Sequence, residues 1–377
     1  MNHEDTSHTA SGRTADNRSK PGRRELLKLA GALAALPAVT TRLNGATGAK
    51  RPIKIGQIGV GHAHASKLSV YRDSDDYEVV GIVEPDEKLR KAAEGQAPYA
   101  GLPWMTQEQL LNTPNLDAVL VETRVRDLLD AAEACVAAGK HIHLDKPAGQ
   151  SYPQFQRIVA NAARQNLMIQ MGYMYRYNPG IVLLRDFLRQ GWLGDVFEVH
   201  AVMSKTVGDS TRRDLAEYPG GMFFELGCHV TDLVIGVLGK PTRVTPFAQH
   251  ASTKDDTLRD NMLAVLEYPR ATATVKSSAM EVEGFARRHL VVCGTEGTFH
   301  LQPLDEPVAR VAFSQARDGY QAGYQEITFP KYERYVDDAA DMAKVIRGEK
   351  AHDFPYDHDL TVQAVVLQAS GLPLGPG

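Results

Sequence analysis

The sequence predicts an α/β protein: a doubly wound parallel sheet first, then an α+β domain built on a large, mostly antiparallel sheet. Three observations carry that expectation. After residue 50, apolar runs of strand length alternate with helical stretches, the pattern of a parallel sheet covered on both faces. Beyond Gly172 this gives way to successive strand-like runs with tight turns, as around Tyr268-Pro269-Arg270, which marks an antiparallel or mixed sheet. The length, 377 residues, suits two domains of roughly 150 residues each.

In chain order, the first part offers strands at 53–60, 77–84, 116–123, 141–144 and 167–173. Helices are expected at 125–138 and 152–166, the second opening on Ser151 and Gln154 in capping-box spacing. A domain boundary falls near 172, dividing 50–172 from 173–377. The second domain offers strands at 196–204, 262–268, 272–280, 289–292 and 298–301, and helices at 335–347 and 360–370 close the chain.

Residues 1–49 form a separate segment. Positions 1–22 are polar and rich in Ser, Thr, Asp and Asn, a composition that cannot bury a core. Arg23 and Arg24 then precede an apolar run at 26–39, shorter than the roughly 20 residues of a spanning helix. A charged region before a short apolar one reads as an export signal. The Arg pair followed by Leu26, Leu27 and Lys28 resembles the twin-arginine type. The expected location is therefore periplasmic or extracellular, without stable membrane insertion. An amphipathic surface helix is the weaker alternative, because the run is apolar all round.

Composition excludes several classes. A formal net charge of -4 and the lack of a basic stripe argue against nucleic-acid binding. Cys135, Cys228 and Cys293 are too few and scattered for a disulfide framework or a zinc cluster. His62 with His64 and His141 with His143 alternate locally and need no metal to explain them, so no metal is expected.

In open parallel sheets, ligands bind outside the carboxyl ends of the strands. Here those ends carry Gly59-Val60-Gly61, Glu84, Thr123, Asp145-Lys146-Pro147 and Tyr173 to Tyr177. The distinctive polar residues of this half thus share one sheet edge. Gly59 and Gly61 suit the tight turn and close phosphate approach of a dinucleotide fingerprint of Rossmann type. Glu84 suits a ribose-binding carboxylate that repels a 2′-phosphate and favours NAD over NADP. A plain tight turn with a surface Glu is the competing reading. The third glycine of the fingerprint is replaced by His64. That predicts a helix seated farther from the sheet, or turned so that Ala63 or Ala65 faces it. Solvent exposure is the expectation for His62 and His64, with a reach toward the nicotinamide side as the alternative.

In the second half, Glu225, His229 and Asp232 are spaced i, i+4, i+7 and share one stripe of a helix whose other faces are apolar. Such a stripe suits a catalytic His held by neighbours; a satisfied buried His competes equally. Lys146, taken alone, is either an ammonium aimed at a reacting oxygen or a solvated surface lysine.

Taken together, "GVGHAH", "VEPD", "DKP", "GYMYRYNP" and "GGMFFELGCHVTD" resemble the Gfo/Idh/MocA family of nicotinamide-dependent sugar and polyol oxidoreductases. The resemblance runs from residue 51 to the end and includes "VVCGTEGTFHL". It implies catalytic roles for Lys146, His229 and Glu225, the last standing where the family commonly has Asp. It also implies a cofactor site at Gly59, Gly61, His62, Glu84, Thr123 and Lys146, and substrate contacts at Tyr173, Arg176 and Asp232. The implied reaction is hydride transfer between NAD and a sugar, polyol or cyclitol carbon. His229 would take the hydroxyl proton, and Lys146 would stabilise charge on oxygen. The segment 206–221 either covers the substrate, with Arg212 or Arg213 touching it, or is a plain surface loop. A homo-oligomer through the second sheet is also expected. The twin-arginine route is understood to move folded proteins with their cofactor. An exported nicotinamide enzyme must hold that cofactor tightly and restore it in each cycle. A redox-neutral glycoside hydrolase, working by oxidation and elimination, meets that condition, as does paired oxidation and reduction of two sugars. A non-catalytic sugar or nucleotide sensor is the reading from another class.

Overall fold

Short apolar strands separated by helices do assemble a parallel sheet. A computed structural model describes residues 50–375; the export segment read at 1–49 lies outside the described residues. The first half runs β1 (Ile53–Ile58), α1 (Leu68–Asp73), β2 (Tyr77–Val83), α2 (Glu87–Ala93), β3 (Trp104–Met105) and α3 (Gln107–Leu111). It continues with β4 (Ala118–Val121), α4 (Leu128–Ala137), β5 (His141–Leu144), α5 (Tyr152–Arg164) and β6 (Ile169–Met171). The strand order is β3-β2-β1-β4-β5-β6, all parallel. The order in which strands are added therefore reverses between β1 and β4, the switch point where such sheets bind ligands.

Helix starts follow from capping chemistry. Asp86 accepts from the backbone N–H groups of Lys88 and Leu89, and Ser151 accepts from Gln154 N. Thr106 and Gln109 form a complete capping box ahead of α3. Each such cap contributes about 1 kcal/mol.

The second half adds α6 (Pro179–Arg189), β7 (Val196–Val202), α7 (Asp209–Ala216), α8 (Cys228–Leu238), β8 (Arg243–Gln249), β9 (Asn261–Glu267) and β10 (Thr272–Ser278). Then come α9 (Gly284–Arg287), β11 (His289–Gly294), β12 (Gly297–Leu301), β13 (Val308–Phe313), β14 (Gly323–Thr328), α10 (Val336–Ile346) and α11 (Tyr356–Ala369). Eight strands lie in the order β14-β13-β12-β11-β7-β10-β9-β8, antiparallel except for the β7–β10 pair. On β9, Met262, Ala264 and Leu266 are buried while their neighbours are half-buried, the period of two that a one-sided sheet requires.

The structure departs from the sequence expectation in three places. Strands β3, β8, β13 and β14 and helices α2, α3, α6 and α9 are additional to those expected. Segment 206–221 is not a loop, because α7 occupies its middle. And α10 returns to the first sheet: Ala339, Met342 and Ala343 pack with Ile55, Tyr71 and Tyr77, and Tyr77 Oη donates to Ala339 O at 2.6 Å.

Candidate active site

The turn after β1 needs glycine. Gly59 has φ +93°, and a Cβ there would stand 2.4 Å from Thr123 N. The demand at Gly61 is milder, with Arg124 Cγ and Leu89 Cδ1 at 3.1 Å from a Cβ. Glu84, just past β2, accepts from Val60 N and Asp86 N, both at 2.9 Å, so the strand-two carboxylate is tied to the glycine turn. A cleft of about 580 Å³ opens here, lined by Ile58, Glu84, Met105, Thr123 and Asp127 among others. Its position at the switch point, and a turn that tolerates no side chain, fit the adenosine half of a nicotinamide dinucleotide.

His64 is not exposed, and the turn it begins faces Ala65 to the sheet. A 3-10 turn at Ala65–Lys67 precedes α1 and turns Ala65, Lys67 and Leu68 inward while Ala63 faces solvent. The solvent expectation fails for His62 as well, which is only 8 % exposed. Both imidazoles are drawn to one carboxylate: His62 Nδ1 lies 3.0 Å from Asp145 Oδ2, and His64 Nδ1 lies 3.2 Å from Oδ1. Burial lowers the His64 pKa to about 4 despite Asp145.

Lys146, 1 % exposed, is no surface lysine. Its Nζ donates to Glu225 Oε1 at 2.9 Å and Glu225 O at 3.0 Å. Burial alone would weaken the ammonium, but the charges of Glu225 and Asp145 outweigh it and keep Lys146 protonated. The same ammonium holds Glu225 below the usual carboxylate range against its own burial.

Glu225 reaches Lys146 from a π-helical turn, Phe223–Gly227, that precedes α8; such turns recur at functional sites. His229, in the first turn of α8, is 1 % exposed. It lies among the rings of His64, Tyr175 and Tyr173, with centroids at 5.6, 5.9 and 6.3 Å. Burial, Lys146 and His64 all hold it neutral, and its buried Nδ1 has no hydrogen-bond partner. A neutral imidazole beside an ammonium is suited to accepting a proton while charge on oxygen is stabilised.

The third residue of the expected stripe goes elsewhere. Arg176 donates to Asp232 at 2.6 Å and Asp359 at 2.5 Å, and His358 Nε2 lies 2.9 Å from Asp232. Arg176 and Asp232 are 1 % and 2 % exposed, with the guanidinium 4.9 Å from the Tyr173 ring centroid. Both lie in a buried ion group that braces the wall behind Tyr173, with Arg176 Nη1 left unpartnered. Arg212 is likewise bound to Asp256 at 2.7 Å and Asp260 at 2.9 Å, which pins α7 to residues 256–260 instead of reaching a substrate.

Residues that sequence reasoning passed over complete the site. Lys67, Glu122, His143 and Gln170 are all buried and form a polar layer under Asp145. Their signal is the period of two in "HIHLD" and the Glu closing "LDAVLVE", which places charged groups on a strand face otherwise read as apolar. Among the described residues, two clusters have metal-like spacing: His62, His64 and Asp145, and Asp232, His358 and Asp359. Each already holds a protein cation, Lys67 at 2.9 Å from Asp145 and Arg176 at 2.6 Å from Asp232.

A dinucleotide turn at a switch point, on the same sheet edge as a buried Lys-Glu pair with a neutral His, defines a nicotinamide-dependent oxidoreductase. Comparison with known proteins agrees. Residues 53–173 match the oxidoreductase family with an NAD-binding Rossmann fold, and residues 181–300 match the GFO/IDH/MocA C-terminal domain. The chain belongs to the GFO/IDH/MocA family and is an NAD(P)-dependent oxidoreductase. The Escherichia coli (strain K12) oxidoreductase YdgJ is 26% identical over 69% of this chain and 74% of its own. Mouse (Mus musculus) trans-1,2-dihydrobenzene-1,2-diol dehydrogenase is 24% identical over 65% of this chain and 72% of its own. Among solved structures, an Agrobacterium radiobacter oxidoreductase in complex with NAD+, L-tartaric acid and magnesium shares the fold. Its TM-score is 0.73 at 17% identity, covering 85% of this chain and 97% of that one. A 3-ketoreductase from Actinomadura kijaniata in complex with TDP-benzene and NADP gives 0.66 at 18% identity, covering 85% and 96%.

Proposed function

We propose that this chain oxidises or reduces a secondary hydroxyl of a sugar, polyol or cyclitol, using NAD in preference to NADP. The observation that carries the reading is the Lys146–Glu225 pair beside the neutral His229, at the carboxyl edge of the first sheet. Bound NAD supplies the hydride acceptor. His229 takes the hydroxyl proton, Lys146 stabilises the developing charge on oxygen, and Glu225 orients Lys146. The mouse relative is named for a trans-1,2-diol and the Agrobacterium structure contains tartaric acid. Both compounds carry adjacent hydroxylated carbons, as sugars and cyclitols do. The preference for NAD rests on Glu84, whose carboxylate lines the cleft and would repel a 2′-phosphate.

Export by the twin-arginine segment and a homo-oligomer through the second sheet belong to the same proposal. Export favours a closed cycle with retained cofactor, so redox-neutral glycoside cleavage by oxidation and elimination is the second reading. Purified protein incubated with nitrophenyl glycosides, without added cofactor, separates the two. Release of nitrophenol identifies the redox-neutral reaction. Turnover only of free sugars or cyclitols with added NAD identifies net oxidation. Inertness toward both, with cofactor bound, overturns the carbohydrate assignment.

A further inference from the structure

One face of the first sheet carries an ionisable layer that hydride transfer at His229 and Lys146 does not use. Leu120 pairs with His143, and His143 with Gln170, so Glu122 and Asp145 stand one step further along, at the carboxyl edge. Gly172 leaves the room that Asp145 occupies, since a Cβ there would lie 2.8 Å from Asp145 Oδ1. Lys67 covers the layer with Nζ at 2.9 Å from Asp145 Oδ2, 3.0 Å from Glu122 Oε1 and 2.8 Å from His143 Nε2. Tyr335, in left-handed backbone at φ +72°, places its ring 5.1 Å from that ammonium.

Two buried carboxylates thus share one ammonium, and their surroundings differ. Asp145 accepts from Lys146 N at 2.7 Å as well as from Lys67, with His62 and His64 alongside. Glu122 has the Lys67 ammonium 3.0 Å from Oε1 as its one close donor, and its buried Oε2 accepts no hydrogen bond. An unsolvated second carboxylate is costly in its charged form, so the pair needs one proton beyond those on Lys67. His62 lies against the same carboxylate. Its Nε2 lies 3.0 Å from the Lys146 carbonyl oxygen, and its Nδ1 accepts from His64 N at 3.2 Å while lying 3.0 Å from Asp145 Oδ2. A neutral imidazole protonated on Nε2 satisfies the carbonyl; a proton passed to Nδ1 would exchange the His64 backbone bond for one to Asp145.

We propose that Glu122, Asp145 and His62 form a buried proton store beside the active site, in which one proton is held on Glu122 or passed through Asp145 to His62. The inference rests on the nicotinamide reading above. Oxidation of an alcohol releases one hydride and one proton. An oxidised nicotinamide ring bears a positive charge and a reduced ring bears none. The store therefore loses its proton when the oxidised form binds and regains one when His229 passes on the proton it takes from the substrate hydroxyl. A closed oxidation–reduction cycle then exchanges no proton with solvent.

The other groups facing Glu122 are consistent with this. Tyr71 on α1, Tyr99 ahead of β3 and Tyr335 ahead of α10 are all held above the usual tyrosine range by burial, with Glu122 adding to it, so they stay neutral. His143 is pushed down to about 3 by burial and by Lys67 and is neutral as well. Burial and the charge of Asp145 raise the Glu122 carboxyl well above the usual range, against Lys67. Asp145, despite its burial, is held low by His62, Lys67 and His64.

The test is calorimetric titration of the full chain with NAD+ and, separately, with NADH, in buffers of different ionisation enthalpy near neutral pH. Binding of NAD+ should release up to about one proton per site more than binding of NADH, by linkage. Glu122→Gln should bind both forms and abolish that difference. Equal proton counts for the two forms in the unaltered chain, or a difference that survives in Glu122→Gln, overturns the store. If neither dinucleotide binds, the nicotinamide reading fails first and the store with it. A second measurement needs no variant: the infrared difference between the NADH and NAD+ complexes should contain the carbonyl stretch of a protonated carboxylic acid. Its absence overturns the proposal.

Discussion

Lys146 and Arg176 are equally buried, but their neighbours differ, and that difference underlies the catalytic role proposed for Lys146 and not for Arg176. Lys146 has one carboxylate partner, on a half-buried Glu225, and sits beside the neutral imidazole of His229. Arg176 has two fully buried carboxylates and an aromatic face. Lys146→Ala should lower kcat by roughly 10²–10³-fold, the cost of losing one preorganised stabiliser of charge on oxygen, and leave NAD bound. Arg176→Ala should cost about 3–5 kcal/mol in denaturant unfolding, because it leaves buried Asp359 with no cation and Asp232 with His358 alone. Loss of NAD binding in the first variant would move Lys146 to the cofactor site. Unchanged stability with a raised KM in the second would restore Arg176 to the substrate. At this scale the sequence reveals Lys146, Glu225 and His229, since a strand end and a helix face can be read from spacing. It hides the partners of Arg176, since Asp359 lies 183 residues away.

Elements register in the sequence largely in proportion to what they bury; β13, internal and burying Ala309, Val311 and Phe313, is the exception. The apolar strands β1, β2, β4, β5 and β9 are legible, while β8 and β14, the two edges of the second sheet, are not. Edge strands bury little on either face, and β8 accommodates Pro246, which a central strand excludes. The stripe at Glu225, His229 and Asp232 is legible as helical spacing, yet the π turn at Phe223–Gly227 breaks it. A local widening of one turn leaves no mark in residue periodicity. Helix α10 supplies its own prediction. Burial raises the Asp338 carboxyl to about 7, against the pull of Lys67. With a folded pKa above the unfolded 3.8, the folded state binds more protons. The resulting stabilisation is complete below the unfolded value and disappears as pH rises through about 7. Thermal unfolding of Asp338→Asn and the unaltered chain should therefore diverge in favour of the variant as pH rises from about 5 to 8. A constant difference across that window contradicts the assignment.

Over the whole molecule, the switch point between β1 and β4 places the dinucleotide cleft, and one apolar core continues from that sheet through α8 into the second. The fold class was legible because both sheets follow simple periods. The return of α10 to the first sheet was not, since a helix pattern shows which face is apolar but not which sheet it meets. The missing third glycine is explained at this level too: Ala65 takes the close-packed position, and His64 turns toward Asp145. The central claim is that this turn and cleft hold a nicotinamide dinucleotide for the chemistry at Lys146 and His229. Native mass spectrometry of protein purified without added nucleotide, then titrated with NAD, tests it most directly. The expected result is one NAD per chain, retained through purification or taken up on titration and released on denaturation. A chain that remains free of any nicotinamide dinucleotide, even when NAD is supplied, contradicts the account.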